Sequence, residues 1–285
     1  MYKKFFHLTR DPFNLTPDPS CFVPNTRHIE ALASLYYGVR RHKGFVVVTG
    51  EVGTGKTLLL RLLLEVLGES KDIAYAYVFN SRLTSMEFLQ YILADLGVPC
   101  SGKNKAEMLF DLAKFVMSRH ERKMTTVLVI DEAHHLSPEL LEEVRLLSNL
   151  ETADDKLIQI LLVGQPELDD MLDSHNLRQL KQRVAIRTHL TPLSEEETRR
   201  YIEQRLVIAG ANSNAGTLFT DEAVHTVHRF SHGFPRLINT ICESSLVTAY
   251  AKHREEITSD IVEDVAREFR LEPSVATEDE RAVRA

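Results

Sequence analysis

The sequence predicts an α/β fold: a parallel five-stranded sheet flanked by helices, followed by a small all-helical domain. Three observations carry this. Short apolar runs alternate with helical patterns, as in strand–helix–strand units whose sheet is covered on both faces. A glycine-rich turn stands between the first such run and an almost wholly apolar helix. From residue 193 the strand signals stop, while helix caps continue.

Taken in order, residues 1–25 carry proline, aspartate and aromatics without period and read as an irregular arm. Ile29, Leu32, Leu35, Tyr36 and Val39 then recur at helical spacing. Strands are expected over residues 45–49, 74–79, 127–130, 157–163 and 185–190, with helices over 58–67, 85–96, 105–119, 138–150 and 176–182. Ser137-Pro138-Glu139 is a helix start, because proline is preset for the first helical position. Ser194 and Glu197 form a capping box opening a helix that Gly210 closes. Thr220 caps a second helix, with Phe219 and Val224 placed as a hydrophobic staple. Pro235 suits the first turn of a third, and Thr258 caps a fourth reaching Phe269. Few large apolar residues remain after that, so a frayed tail is expected. The expected organisation is an arm (1–25), a phosphate-loop domain (26–192), a helical lid (193–270) and a flexible tail (271–285).

Composition sets the outer limits. With 285 residues, 44% hydrophobic and 26% charged, the chain can bury one large core and one smaller one. No apolar run reaches the roughly 18 residues of a membrane span, and charge and proline follow the N-terminus closely. Cys21, Cys100 and Cys242 lack paired spacing for zinc or a disulfide scaffold. A reducing, cytoplasmic setting is expected, with peripheral attachment at the inner face of a membrane as the variant. A net charge of −7 gives no global attraction to nucleic acid, although Arg40-Arg41-His42-Lys43 is a local basic patch.

The chemistry begins at Gly50-Glu51-Val52-Gly53-Thr54-Gly55-Lys56-Thr57, with Leu58 opening the helix. Glycines let the loop wrap a phosphate, and the following helix aims its first amides at the anion. Lys56 is expected to meet the β and γ phosphates of ATP, and Thr57 to offer its hydroxyl to Mg2+. A glycine turn of this pattern arises by chance in roughly one chain in a hundred of this length, and its place between strand and helix lowers that further. The second element is Val127-Leu128-Val129-Ile130 running into Asp131 and Glu132. Two acids after a strand are more often a solvated loop. Beside a phosphate loop they read as a magnesium-shell ligand, Asp131, and a base for water, Glu132. His134 and His135 invite a metal reading, but adjacent histidines point apart and no third ligand stands at suitable spacing.

Together these residues resemble the AAA+ P-loop ATPases of the general secretion pathway A type, a branch near the origin-recognition and transposon target-selection ATPases. The likeness covers residues 1–270. It rests on Tyr2-Lys3-Lys4-Phe5-Phe6, Pro12-Phe13, Pro17-Asp18-Pro19, Lys43-Gly44-Phe45 with the phosphate loop, Asp131-Glu132-Ala133-His134, and Leu162-Val163-Gly164-Gln165-Pro166-Glu167-Leu168. The resemblance implies a switch role for Asn80, restraining the catalytic glutamate, and a sensor role for Gln165 at the γ phosphate. It implies an arginine finger reaching a neighbouring subunit at Arg183, with Arg178 as the other candidate, and a second sensor at Arg236 within Gly233-Phe234-Pro235-Arg236. Phe13, Asn14, Pro17 and His28 resemble an adenine-side wall. Bland readings stand beside these: asparagine ends strands, Gln165 precedes a proline, and arginine suits a helix C-terminus.

The expected activity is ATP hydrolysis at the β–γ bond by a homo-oligomer with shared sites. The resemblance implies assembly or remodelling work with a membrane-associated secretion or polysaccharide-export partner. The membrane segment and peptidoglycan-binding domain of full-length members do not appear in these residues. A DNA-binding regulator like the target-selection ATPases is the alternative, opposed by the acidic net charge. A helicase would need a second RecA-like domain, which residues 194–270 do not provide.

Overall fold

The computed structural model describes residues 1–79, 82–211 and 218–274. Five strands, β1 (Phe45–Gly50), β2 (Ile73–Val78), β3 (Thr125–Ile130), β4 (Gln159–Gly164) and β5 (Val184–Leu190), form one parallel sheet in the order β2-β3-β4-β1-β5. The three central strands are buried along their whole length, which is why their sequences are uninterrupted apolar runs. Edge strand β5 instead alternates exposed and half-buried positions. Phe45 and Val47 point to one core with Leu128, Ile130, Ile160 and Leu162, whereas Val46 and Val48 point to the other with Val127, Val129, Leu161 and Val163.

Contacts divide the chain into two units: Thr26–Val52 with Lys56–Thr191, and Met1–Asn25 with Gly53–Gly55 and Pro192–Ala285. A single turn, α1 (Tyr2–Phe5), opens the latter. In the sheet unit, α2 (Thr26–Arg40) and α3 (Lys56–Gly68) cover one face through Ala31, Leu35, Leu59 and Leu63. Helices α4 (Ser85–Asp95), α5 (Lys105–Glu121) and α6 (Pro138–Leu147) cover the other through Phe88, Ile92, Leu112 and Leu141. Burying each such leucine contributes about 1.5–3 kcal/mol. Ser137 accepts from the Leu140 amide, as the start signal at α6 requires.

Two expectations change here. Residues 167–173 form an unforeseen helix, α7 (Glu167–Asp173), whose acidic first turn, Glu167, Asp169 and Asp170, complements the helix dipole. The helix expected over 176–182 splits into a 3-10 turn (His175–Leu177) and a short α8 (Arg178–Lys181).

The helical unit follows its caps. Helix α9 (Glu195–Ile208) carries the full Ser194–Glu197 capping box, and α10 (Asp221–Ser231) is capped by Thr220, which accepts from Ala223 N at 3.2 Å. Helix α11 (Pro235–Ala251) starts on its proline. Ahead of it Gly233 has φ +75°, and a Cβ there would stand 2.0 Å from the Leu193 carbonyl, so only glycine fits. At α12 (Ser259–Glu268) the expectation is corrected: Thr258 occupies the cap position, but its hydroxyl donates to the Asp260 carboxylate and caps no amide. The arm is packed, since Phe13 is fully buried edge-to-face on Phe219 at 6.0 Å. The buried Arg205 guanidinium donates to the Pro12 carbonyl at 2.6 Å and the Cys21 carbonyl at 3.3 Å. The start of the expected tail is also tied down, with Leu271 against the core and Ser274 N donating to Arg229 O at 2.8 Å. Residues 275–285 lie outside the described residues. No described helix is long and apolar enough to cross a membrane.

Candidate nucleotide site

The phosphate-loop sequence leaves β1 at Gly50 and enters α3 at Lys56. Gly53 and Gly55 take φ of +85° and +99°, a left-handed path that side-chain-bearing residues adopt at a cost of about 1–2 kcal/mol each. The turn leads directly into the first turn of α3, where a helix has amides without intrahelical partners, the arrangement that binds anions. Lys56 is buried and donates from Nζ to the Gly50 carbonyl at 2.7 Å and the Glu51 carbonyl at 3.0 Å. Burial holds its pKa below the usual lysine value, while Glu132, Asp131 and Glu51 pull it back up. Thr54 is buried, Thr57 and Leu58 are half-buried, and Glu51 and Val52 are exposed.

Asp131 follows β3 directly. Its Oδ1 accepts from the Glu132 amide at 2.9 Å and its Oδ2 from the Tyr77 hydroxyl at 3.1 Å, so both oxygens are oriented. Burial raises the Asp131 pKa above the usual carboxylate range, and the two hydrogen bonds and Lys56 oppose that rise. Tyr77 is correspondingly pushed well above an ordinary phenol, first by burial and then by the Asp131 charge. Glu132 has φ +51° and ψ +39°, left-handed for a residue with a full side chain. Its Oε2 is buried, accepts no hydrogen bond from the described residues, and lies 3.5 Å from His134 Nδ1.

Gln165 follows β4 and is joined to this group through one imidazole. Its amide donates to His134 Nδ1 at 3.3 Å, and its side-chain Nε2 stands 2.9 Å from His134 Nε2. Burial, reinforced by His135, lowers the His134 pKa and favours the neutral ring that can accept. Two residues of this constellation were not predicted from sequence, Tyr77 and His134. Tyr77 could have been found as a polar-tipped aromatic on the strand beside β3, had the strand order been known. Arg183 is half-buried and donates to Ser148 Oγ, whereas Arg178 is exposed and 3.3 Å from His175 Nε2. Asn80 lies outside the described residues. Arg236 is exposed in the first turn of α11, and its amide donates to the Gly53 carbonyl at 3.4 Å, within the unit to which Gly53–Gly55 belongs.

A phosphate loop after the first strand, an acidic pair after the third and the sheet order give the chain the fold of the AAA+ P-loop proteins. The AAA domain family matches residues 39–172. The chain is similar to General secretion pathway protein A of Aeromonas hydrophila, with 43% identity over 258 residues, 90% of this chain and 46% of that protein. It therefore spans about half the length of the curated relative it matches. Among solved structures it is similar in fold to Cdc6p from Pyrobaculum aerophilum, with TM-score 0.68 and 19% identity over 92% of this chain and 71% of the other. The Aeropyrum pernix ORC2 protein, in ADPNP–ADP complexes, gives TM-score 0.65 and 18% identity over 95% and 73%. Drosophila ORC bound to DNA gives 0.67 and 20% over 97% and 69%.

Proposed function

We propose that the chain binds Mg-ATP and hydrolyses its terminal phosphate. The observation that carries this is the loop itself, in which left-handed Gly53 and Gly55 lead into a buried Lys56 whose Nζ is held on the Gly50 and Glu51 carbonyls. Lys56, now spent on loop carbonyls, has the charge and reach to turn to β and γ phosphates. The donor set fits magnesium, a hard cation: the Thr57 hydroxyl, and the Asp131 carboxylate acting directly or through water. The metal would neutralise charge on the transferring phosphoryl group. Glu132, with one buried carboxylate oxygen that accepts no hydrogen bond from the described residues, is the base that orients and deprotonates the attacking water. Gln165, held by His134, senses the γ phosphate, Asn80 takes the switch role, and Arg236 contacts the nucleotide. The arm, sheet domain, helical lid and tail boundaries set out above are proposed on the same footing.

Active sites shared in a homo-oligomer follow if an arginine acts across subunits. Arg183 and Arg178 both suit that role, and a cation there would stabilise transition-state charge. The test is steady-state hydrolysis against protein concentration, with Arg183→Ala and Arg178→Ala each mixed into unaltered chain. Specific activity is expected to rise with concentration and to be poisoned by one of the two. Strict proportionality, indifferent to both variants, contradicts the shared site.

The likeness to General secretion pathway protein A supports assembly or remodelling work in a secretion or polysaccharide-export related envelope system, with a membrane-associated partner and a place at the inner face of the membrane. The fold likeness to ORC bound to DNA favours a second reading, an ATP-dependent DNA-binding regulator, against which the net charge of −7 counts. Duplex binding with ATP at two salt concentrations separates them. Salt-sensitive, ATP-dependent binding supports the DNA reading, and its absence supports the envelope reading.

A further inference from the structure

The end of the sheet opposite the phosphate loop holds a second constellation. His42 precedes β1, His120 lies in the last turn of α5, and Asp155 precedes β4. The six residues of β1 put about 17 Å between this end and Gly50, at roughly 3.3 Å per residue. One ligand atom from each of His42, His120 and Asp155 lies within 4.8 Å of the others. His42 Nδ1 stands 2.6 Å and His120 Nδ1 3.7 Å from the same oxygen, Asp155 Oδ2.

We propose that His42, His120 and Asp155 form a zinc site that ties the turn after α2, the end of α5 and the loop before β4 together. Zinc bonds of about 2.0–2.2 Å in a tetrahedron put ligand atoms about 3.3–3.6 Å apart, and the separations of 2.6 and 3.7 Å bracket that range; the shorter is a hydrogen bond between His42 Nδ1 and Asp155 Oδ2, which a bound ion would replace. Outer contacts orient two of the ligands. His42 Nε2 has its own partner in Thr125 Oγ1 at 3.1 Å, the kind of contact that fixes the tautomer and leaves Nδ1 to ligate. Asp155 Oδ1 accepts from the Lys156 amide at 2.9 Å, leaving Oδ2 to the metal. The loop itself is pinned, since Thr152 N donates to Asp155 O at 2.9 Å and Asp155 N to Thr152 Oγ1 at 3.1 Å. Two imidazoles and one carboxylate suit zinc, whereas magnesium and calcium prefer all-oxygen shells. All three side chains are about a quarter exposed, so an ion can enter and a fourth position stays open to water.

The test uses chelator-treated, nucleotide-free full chain titrated with zinc chloride, and with cobalt chloride as a spectroscopic probe. One equivalent of zinc is expected, with affinity falling at least about tenfold in His120→Asn and Asp155→Asn and about tenfold in Thr125→Val, which removes only the outer contact. Cobalt in the unaltered chain is expected to show tetrahedral visible bands without thiolate charge transfer, a readout that survives any variant failing to fold. No uptake, uptake undiminished in folded His120→Asn and Asp155→Asn, thiolate bands, or binding abolished by His134→Asn with His135→Asn would each overturn the assignment.

Discussion

Replacing Glu132 by glutamine tests the hydrolytic machinery at one atom. Glutamine keeps the length and shape of the side chain, and the left-handed backbone at φ +51° strains both residues alike, so the fold is expected to be unchanged. What changes is basicity. Glu132 Oε2 is buried, without a hydrogen-bond partner among the described residues, and no bond within the phosphate loop depends on it. Nucleotide affinity should therefore stay within about threefold. A positioned general base contributes about 10²–10⁴ in rate, or roughly 2.7–5.5 kcal/mol of barrier, so kcat should fall by that factor. The assay is steady-state phosphate release beside equilibrium binding of ATP in magnesium buffer. A kcat within threefold of the unaltered chain would refute the role given to Glu132, and so would a loss of binding matching the loss of rate.

Other expectations follow from the same geometry. Asp131→Asn should abolish magnesium-dependent hydrolysis yet raise Tm at neutral pH. The folded-state pKa of Asp131 is raised, so this group favours folding most below its unfolded value, and that contribution is lost as pH rises through the folded pKa. Its charge therefore costs stability at pH 7, and the gain in the variant should shrink on acidification. Tyr77→Phe removes a hydrogen bond that lowers the Asp131 pKa, so the acid limb of kcat/KM should move to higher pH. Ser194→Ala deletes one half of the α9 capping box and should cost about 1 kcal/mol, read as a Tm lower by a few degrees with little change in nucleotide affinity.

The sheet was legible because its central strands are buried on both faces and carry no alternation to confuse them with surface helices. The phosphate loop was legible because its backbone path demands glycine at fixed places, and Gly53 and Gly55 do take left-handed φ. Tyr77 was not, because it reaches Asp131 only through the pairing of β2 with β3, which is tertiary information. His134 escaped for the same reason, since its partner Gln165 follows β4 and is brought near only by the pairing of β3 with β4. The arm looked irregular from its composition, yet its carbonyls are gathered by Arg205, 193 residues away from Pro12. Helix α7 leaves a local signal in its acidic first turn, Glu167, Asp169 and Asp170, but its seven residues are too few to show a helical apolar period.

The loop between β1 and α3 is proposed to enclose a triphosphate, and every role given to Lys56, Thr57, Asp131 and Glu132 depends on it. Isothermal calorimetry of the full chain with ATP and magnesium tests it most directly: one nucleotide per chain is expected, with uptake lost in Lys56→Ala. Heats no different from buffer, from material whose circular dichroism shows it folded, would contradict it.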